Sequence, residues 1–501
     1  MIEDQIAYMY LNRSIPLLFA IPSTEKSKTA LLLSLFIAAT AMVLYLAAVL
    51  WQDFPYFLLM TMLLGLHGVL SLYTTGANIL FLFRYFLVWV LIFGTSLVWF
   101  VFPGEVYVAP FGLEFQTIEN TRVLVLAGVM SLCGSLAGWH CAFLGIKLES
   151  IPKLLITNQY VKNLRFAGLL LSVAFALLYV WKAGGILGGG RVYAGGQAGF
   201  SLEFGVFNLF HFTGISLILL GSVAIKNGID WRYILLAILT LIPGMLAGSR
   251  ADFLPQVFLL FLLLFNSRIL RLLTNWKYVV ALTYLAVLVA TASFAYFVAT
   301  FIAIARAGID PWLAMELVFN SETGRLISNV YGHKMLYFET GNMMLGGLYS
   351  AIVQVREGYT GLLFGESYFN YLLVSPPALL GLPRPLGLEW ATEINGVTMT
   401  QGGIFEVAEA YWNFGLAGCF FISFLWSFLF GYLLRHGLMT NNYFYLAWYI
   451  VYGFHGFRAI WYQNFGYFRL MTVMFVIYIV CVPFYGWFIA NRRIPLSGNL
   501  S

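Results

Sequence analysis

YILLAILTLIPGMLAGSRADFLPQVFLLFLLLF, residues 233–265, places Arg250 and Asp252 between two runs that are otherwise apolar. A charged side chain at bilayer depth costs at least ~2.5 kcal/mol. The stretch therefore reads as two membrane helices joined by a tight connection, and it poses the question of what a permanent cation does at that junction.

The rest of the chain has the same character. Of 501 residues, 61% are hydrophobic and 10% charged, and the mean hydropathy is +0.85, values that exclude a soluble globular domain. Apolar runs of the length that crosses the hydrocarbon as helix recur about twelve times. They fall near 30–50, 56–72, 78–101, 122–145, 166–181, 204–223, 233–248, 252–266, 278–303, 411–434, 443–459 and 470–489. The fold class is thus an all-α polytopic membrane protein. Residues 1–29 are mixed and polar without a cleavage site of the A-x-A kind, which predicts a cytoplasmic N-terminal segment. Cys133, Cys141, Cys419 and Cys481 all fall in predicted spans, where a cysteine is a small buried hydrophobe.

Charge sets the orientation. With the N-terminus inside, twelve crossings place Arg13, Lys26, Lys28, Lys147, Lys153, Lys162, Arg165, Lys226, Arg232, Arg268, Arg271, Lys277, Arg435, Arg492 and Arg493 in the cytoplasm, against five acids. The other face carries eleven Lys/Arg and sixteen acids, and Arg84 lies within a span. That asymmetry is the positive-inside pattern, so the net charge of +6 reports topology and gives no argument for nucleic acid. Crossings one to nine occupy 30–303 with a Gly-rich outer loop at 182–203; a large outer loop covers 304–410; the last three crossings cover 411–489, and 490–501 is a cytoplasmic tail. Within the large loop, MMLGGLYSAIV (343–353) and GLLFGESYFNYLLV (361–374) are too short to span and read as interfacial or re-entrant helices. No cytoplasmic nucleotide-binding domain is predicted.

Several outer-face residues could carry chemistry. Arg191 sits in a glycine tract, Arg250 at a helix junction, Arg384 between prolines in GLPRPLG and Arg458 at the outer end of span eleven; Arg306, Arg325 and Arg356 lie on the same face. Guanidinium groups bind phosphate through a rigid fork and stay charged at any pH, so such a set suits a lipid-linked pyrophosphate; headgroup contacts or ion pairs would use the same residues. The tract GGILGGGRVYAGGQAG permits close backbone approach to a phosphate or sugar, or serves as a flexible hinge. In TQGGIFEVAEAYWNFGLAG (400–418), Glu406 and Glu409 share a helix face just outside span ten. A carboxylate at that boundary could act as a general base toward a sugar hydroxyl, or pair with an arginine. His333 in NVYGHKMLYFE is a further candidate base or a polar surface residue.

Taken together, GMLAGSRADFL, PPALLGLPRPLG, GGIFEVAEAYWNFGLAG and RAIWYQNFGYFR resemble, in order and placement, the oligosaccharide repeat-unit polymerases of bacterial surface polysaccharides, the Wzy type that includes the O-antigen and enterobacterial common antigen polymerases. The likeness covers roughly residues 180–470; the first five spans match only as hydrophobic membrane sequence. It implies a GT-C-like inner-membrane glycosyltransferase with both termini cytoplasmic and its site in the periplasm. Such an enzyme is inverting, needs no metal or cofactor, and moves a growing glycan from its undecaprenyl diphosphate carrier to the non-reducing end of a lipid-linked repeat unit. By position, Arg191, Arg250 and Arg458 would hold diphosphate, with Tyr193 and Arg325 contributing to substrate binding, and Arg384 would lie near the glycan. Glu406 or Glu409 would orient or deprotonate the acceptor, with His333 as the remaining candidate. Membrane lipids, a chain-length regulator and a flippase are the implied partners. Gly248 and Ser249 would let helices close around the headgroup, whose diphosphate supplies the counter-charge of Arg250.

Two alternatives differ in what they require. An O-antigen ligase would use the same outer arginines to attach finished chains. A secondary transporter or flippase would show paired charges at mid-span and internal repeats; in the sequence only Arg84 lies deep in a span and no repeat between halves is evident. A membrane-embedded hydrolase lacks its G-x-S-x-G or HExxH signature.

Overall fold

The computed structural model describes residues 19–75, 78–101, 117–146, 158–182, 202–223, 231–246, 260, 339–379, 405–440, 442–462, 466–468, 470–475 and 479. Its helices are α1 Thr24–Leu50, α2 Tyr56–Thr74, α3 Ile79–Val101, α4 Ile118–Ala142, α5 Asn158–Lys182, α6 Leu202–Val223, α7 Trp231–Leu246, α8 Glu339–Arg356, α9 Glu366–Leu379, α10 Glu406–Met439 and α11 Tyr443–Tyr462, and no strand occurs among the described residues. Five of them, α1, α2, α3, α4 and α10, are long and apolar enough to cross a membrane. The helices α5, α6, α7 and α11 stand at the fifth, sixth, seventh and eleventh expected crossings. Expected crossings eight and nine lie outside the described residues apart from Leu260, and the twelfth is represented by 470–475 and 479.

Local chemistry fixes where these helices begin. Ser23 accepts the Lys26 N–H and Thr117 accepts the Asn120 N–H at 3.1 Å, with Glu25 and Glu119 in the first turns, where a carboxylate favours the positive end of the helix dipole. Asn78 does the same for α3 by accepting the Phe81 N–H at 3.1 Å. Its amide also donates to Ala20 O and its oxygen accepts from the Tyr449 hydroxyl, so one buried side chain joins the start of α3 to the N-terminal segment and to α11.

The central helix is α4, buried along nearly its whole length. A side chain added at Gly134 or Gly138 would stand 2.1 Å from the Phe420 and Phe424 carbonyl oxygens of α10, so the backbones of the two helices touch. This G-x-x-x-G contact, with the hydroxyls of Ser131 and Ser423 2.7 Å apart, is the small-residue packing by which helices associate without a hydrophobic driving force. The outer helices leave leucine, valine and phenylalanine exposed, Leu32, Phe36, Leu66, Val69, Phe166, Leu170, Phe421 and Leu425 among them. A helix apolar on every side belongs in lipid.

Contacts at the helix ends sort them into two sets. At one end of the bundle Lys26 reaches Tyr73 O, Thr24 reaches Ile146 O, and Arg435 donates to Ala142 O at 2.9 Å. At the other, Arg122 donates to Ala48 O, the Tyr56 hydroxyl donates to Arg122 O, and Arg356 at the end of α8 bonds Asn120 and Glu119 at 2.6 and 3.1 Å. Arg356, one of the arginines considered for phosphate, is thus engaged in an ion pair.

Candidate functional site

The stretch IFEVAEAYWNFGLAG does not continue straight into a membrane helix. An unbroken helix over the 34 residues of α10 would be ~51 Å long, against ~30 Å of hydrocarbon. It breaks at Phe414 (φ −141, ψ 15) and Gly415 (φ 61, ψ −148), a conformation that suits glycine. Beyond the break the chain folds back. The Cys419 thiol lies 3.7 Å from Val407 O, and a side chain on Gly418 would meet Ala410 O at 2.2 Å. Residues twelve apart in a continuous helix would be ~18 Å apart. Residues 406–413 therefore form a short arm packed against the start of the segment 416–439.

Such an arm exposes its last carbonyls, which a buried helix end must satisfy from elsewhere. The turn before α9 supplies three successive N–H groups: Leu363 donates to Trp412 O, Phe364 to Asn413 O and Gly365 to Asn413 Oδ1, each at 3.0 Å. That alignment places both Phe364 (φ 45) and Gly365 (φ 93) at positive φ. For phenylalanine this is a sparsely populated conformation that persists only where neighbours enforce it.

The two glutamates of the arm are enclosed by protein, Glu406 at 5% exposure and Glu409 at 0%. The expected place just outside span ten, at the membrane boundary, is corrected by the fold-back, which turns them into the bundle; of the two roles open to them, the pairing with an arginine is the one seen for Glu406, its partner being Arg84. Glu406 faces Arg84 of α3, itself 4% exposed. One guanidinium nitrogen, Nη2, lies 3.0 Å from each carboxylate oxygen, and the Tyr467 hydroxyl donates to Oε2 at 3.1 Å. The guanidinium also lies over the Tyr467 ring, 5.3 Å from its centre, and that ring stacks on Tyr452 and meets Trp426 at a tilt of 30°. Three aromatic rings from three segments of the chain thus gather beside the ion pair.

Glu409, one turn on, meets a different set. The Ser367 hydroxyl of α9 donates to Oε1 at 3.2 Å, and Asn413 donates both to Ser367 Oγ at 2.8 Å and to Glu409 O at 2.9 Å. Nearby, the Tyr368 hydroxyl on α9 is pushed well above the ordinary tyrosine range, first by burial and then by the negative charge of Glu409. It therefore stays protonated.

Of the other residues singled out from sequence, Arg191, Tyr193, Arg250, Arg325, His333 and Arg384 lie outside the described residues. Arg458 belongs to the end of α11, and its side chain is likewise outside them. The structure brings together Glu406, Glu409 and Asn413 with three residues the sequence reading had not joined to them: Arg84, Ser367 and Tyr467. Arg84 carried a signal, because a lone cation inside a span demands a counter-charge. No group of three or more potential metal ligands occurs among the described residues. Comparison with protein-family models, with curated proteins and with solved structures finds no match.

Proposed function

We propose that this chain is a bacterial inner-membrane glycosyltransferase of about twelve crossings that polymerises lipid-linked oligosaccharide repeat units at the periplasmic face. The reading rests on the ordered motifs between residues 180 and 470. The observation that carries it is the arm: the motif richest in chemistry is also the place where a membrane helix breaks and buries two carboxylates with dedicated polar partners. Ionisable groups inside a membrane bundle mark functional sites by default. In the reaction, the acceptor hydroxyl oxygen attacks the anomeric carbon of the donor glycan and its proton passes to a carboxylate. The bond to the polyprenyl diphosphate breaks and the diphosphate leaves with the electron pair. Glu409 is the carboxylate assigned to the acceptor, since Arg84 and Tyr467 occupy Glu406. In the described conformation Glu409 is fully enclosed, with Ser367 of α9 bonded to it, so the proposed reaction requires a rearrangement that opens a path to its carboxylate. Arg191, Arg250 and Arg458 are the proposed diphosphate ligands, with Tyr193, Arg325 and Arg384 toward the glycan; their positive charge would meet the charge building on the leaving group.

A second reading has a specific observation behind it. A buried Arg–Glu pair beside a broken helix is what a transporter of lipid-linked sugars would use to bind and move its cargo. Inactivating the gene in the producing bacterium separates the two. Loss of a polymerase leaves single repeat units displayed at the cell surface, whereas loss of a transporter traps them on lipid at the cytoplasmic face. Long chains left on the lipid carrier would instead identify a ligase.

A further inference from the structure

We infer that Arg84, on a span outside the region of family resemblance, is a positioning residue that seats the 406–413 arm, and that Glu406 is its counter-charge and takes no proton from substrate. The arm has two fixed ends. Its C-terminal carbonyls and Asn413 are held by the N–H groups of residues 363–365, and its first residue is held through Glu406 by Arg84 and Tyr467. Glu409 and Asn413 lie between or at these anchors, so their placement against Ser367 depends on both. Glu406 is the less suited of the two carboxylates to take a proton: three of its roughly four acceptor sites are engaged, two by Arg84 and one by Tyr467, and its charge is matched by the Arg84 cation.

The native Cys419 gives a readout that does not involve activity. It is fully buried, and its thiol lies against Val407 O in the fold-back contact, so it becomes accessible when the arm detaches. The test uses full-length protein in membranes with Cys133, Cys141 and Cys481 replaced by alanine, labelled with a membrane-permeant maleimide. Arg84→Ala and Glu406→Ala should each speed labelling of Cys419 by roughly tenfold or more, because an unpaired buried charge favours opening. Arg84→Met combined with Glu406→Leu fills the site with apolar atoms and should return labelling to the slow parental rate and restore polymer formation. Single variants that leave Cys419 protected would overturn the positioning role. A double variant with protected Cys419 but no polymer would show that Glu406 itself reacts, and would overturn its assignment as a counter-charge. The activity arm rests on the polymerase reading; the labelling arm does not, so a protein that makes no polymer in any form is still decided by Cys419.

Discussion

Glu409→Gln is expected to fold normally and to lose ~10²–10⁴-fold in polymerisation rate, the range a positioned general base contributes. Glutamine has the same shape and keeps an oxygen for the Ser367 hydroxyl, so the bond that places α9 against the arm survives. What disappears is the ability to accept a proton. Cys419 should remain as protected as in the parent protein, which separates a chemical defect from a structural one. A Glu409→Gln protein that polymerises at the parental rate would remove this carboxylate from the mechanism and leave His333 or the arginines as candidates.

The largest effect on stability belongs to Arg84→Ala. The pair it breaks is buried on both sides, at 5% and 6% side-chain exposure. Removing one partner of such a pair strands the other charge and costs about 3–5 kcal/mol, even where the intact pair adds little over apolar residues of the same volume. Tyr467 would lose the cation over its ring as well, although its hydroxyl could still donate to Glu406. Arg84→Lys should fall between: one ammonium nitrogen can meet both carboxylate oxygens as Nη2 does, but lysine has no planar guanidinium to place over the Tyr467 ring. Thermal unfolding in detergent, followed by retention of the folded monomer, measures the order wild type, Lys, Ala. An alanine variant as heat-resistant as the parent would contradict the account of this pair.

Much of the helical framework was legible as apolar runs, and the departures have physical causes. The run at 30–50 became Thr24–Leu50 because Ser23 caps the helix and a polar first turn lies beyond the apolar stretch. The short segments at 343–353 and 361–374 became Glu339–Arg356 and Glu366–Leu379, the second starting late because residues 363–365 are spent on the arm. Span ten is where local reading failed. Asn413-Phe414-Gly415 is compatible with a continuous membrane helix, and its break is decided by N–H donors some fifty residues earlier and by an arginine more than three hundred residues away. Hydropathy carries no information about such partners. For the same reason Arg84 stood out as an unexplained cation while its counter-charge was assigned to the outer surface.

The proposed function is tested most directly by supplying the purified protein, in liposomes, with polyprenyl-diphosphate-linked repeat units in excess chelator and resolving the products by length. A ladder of lipid-linked oligomers, with release of polyprenyl diphosphate at each addition, is the predicted result. Repeat units that stay single while crossing the liposome bilayer would contradict it and establish a transporter in its place.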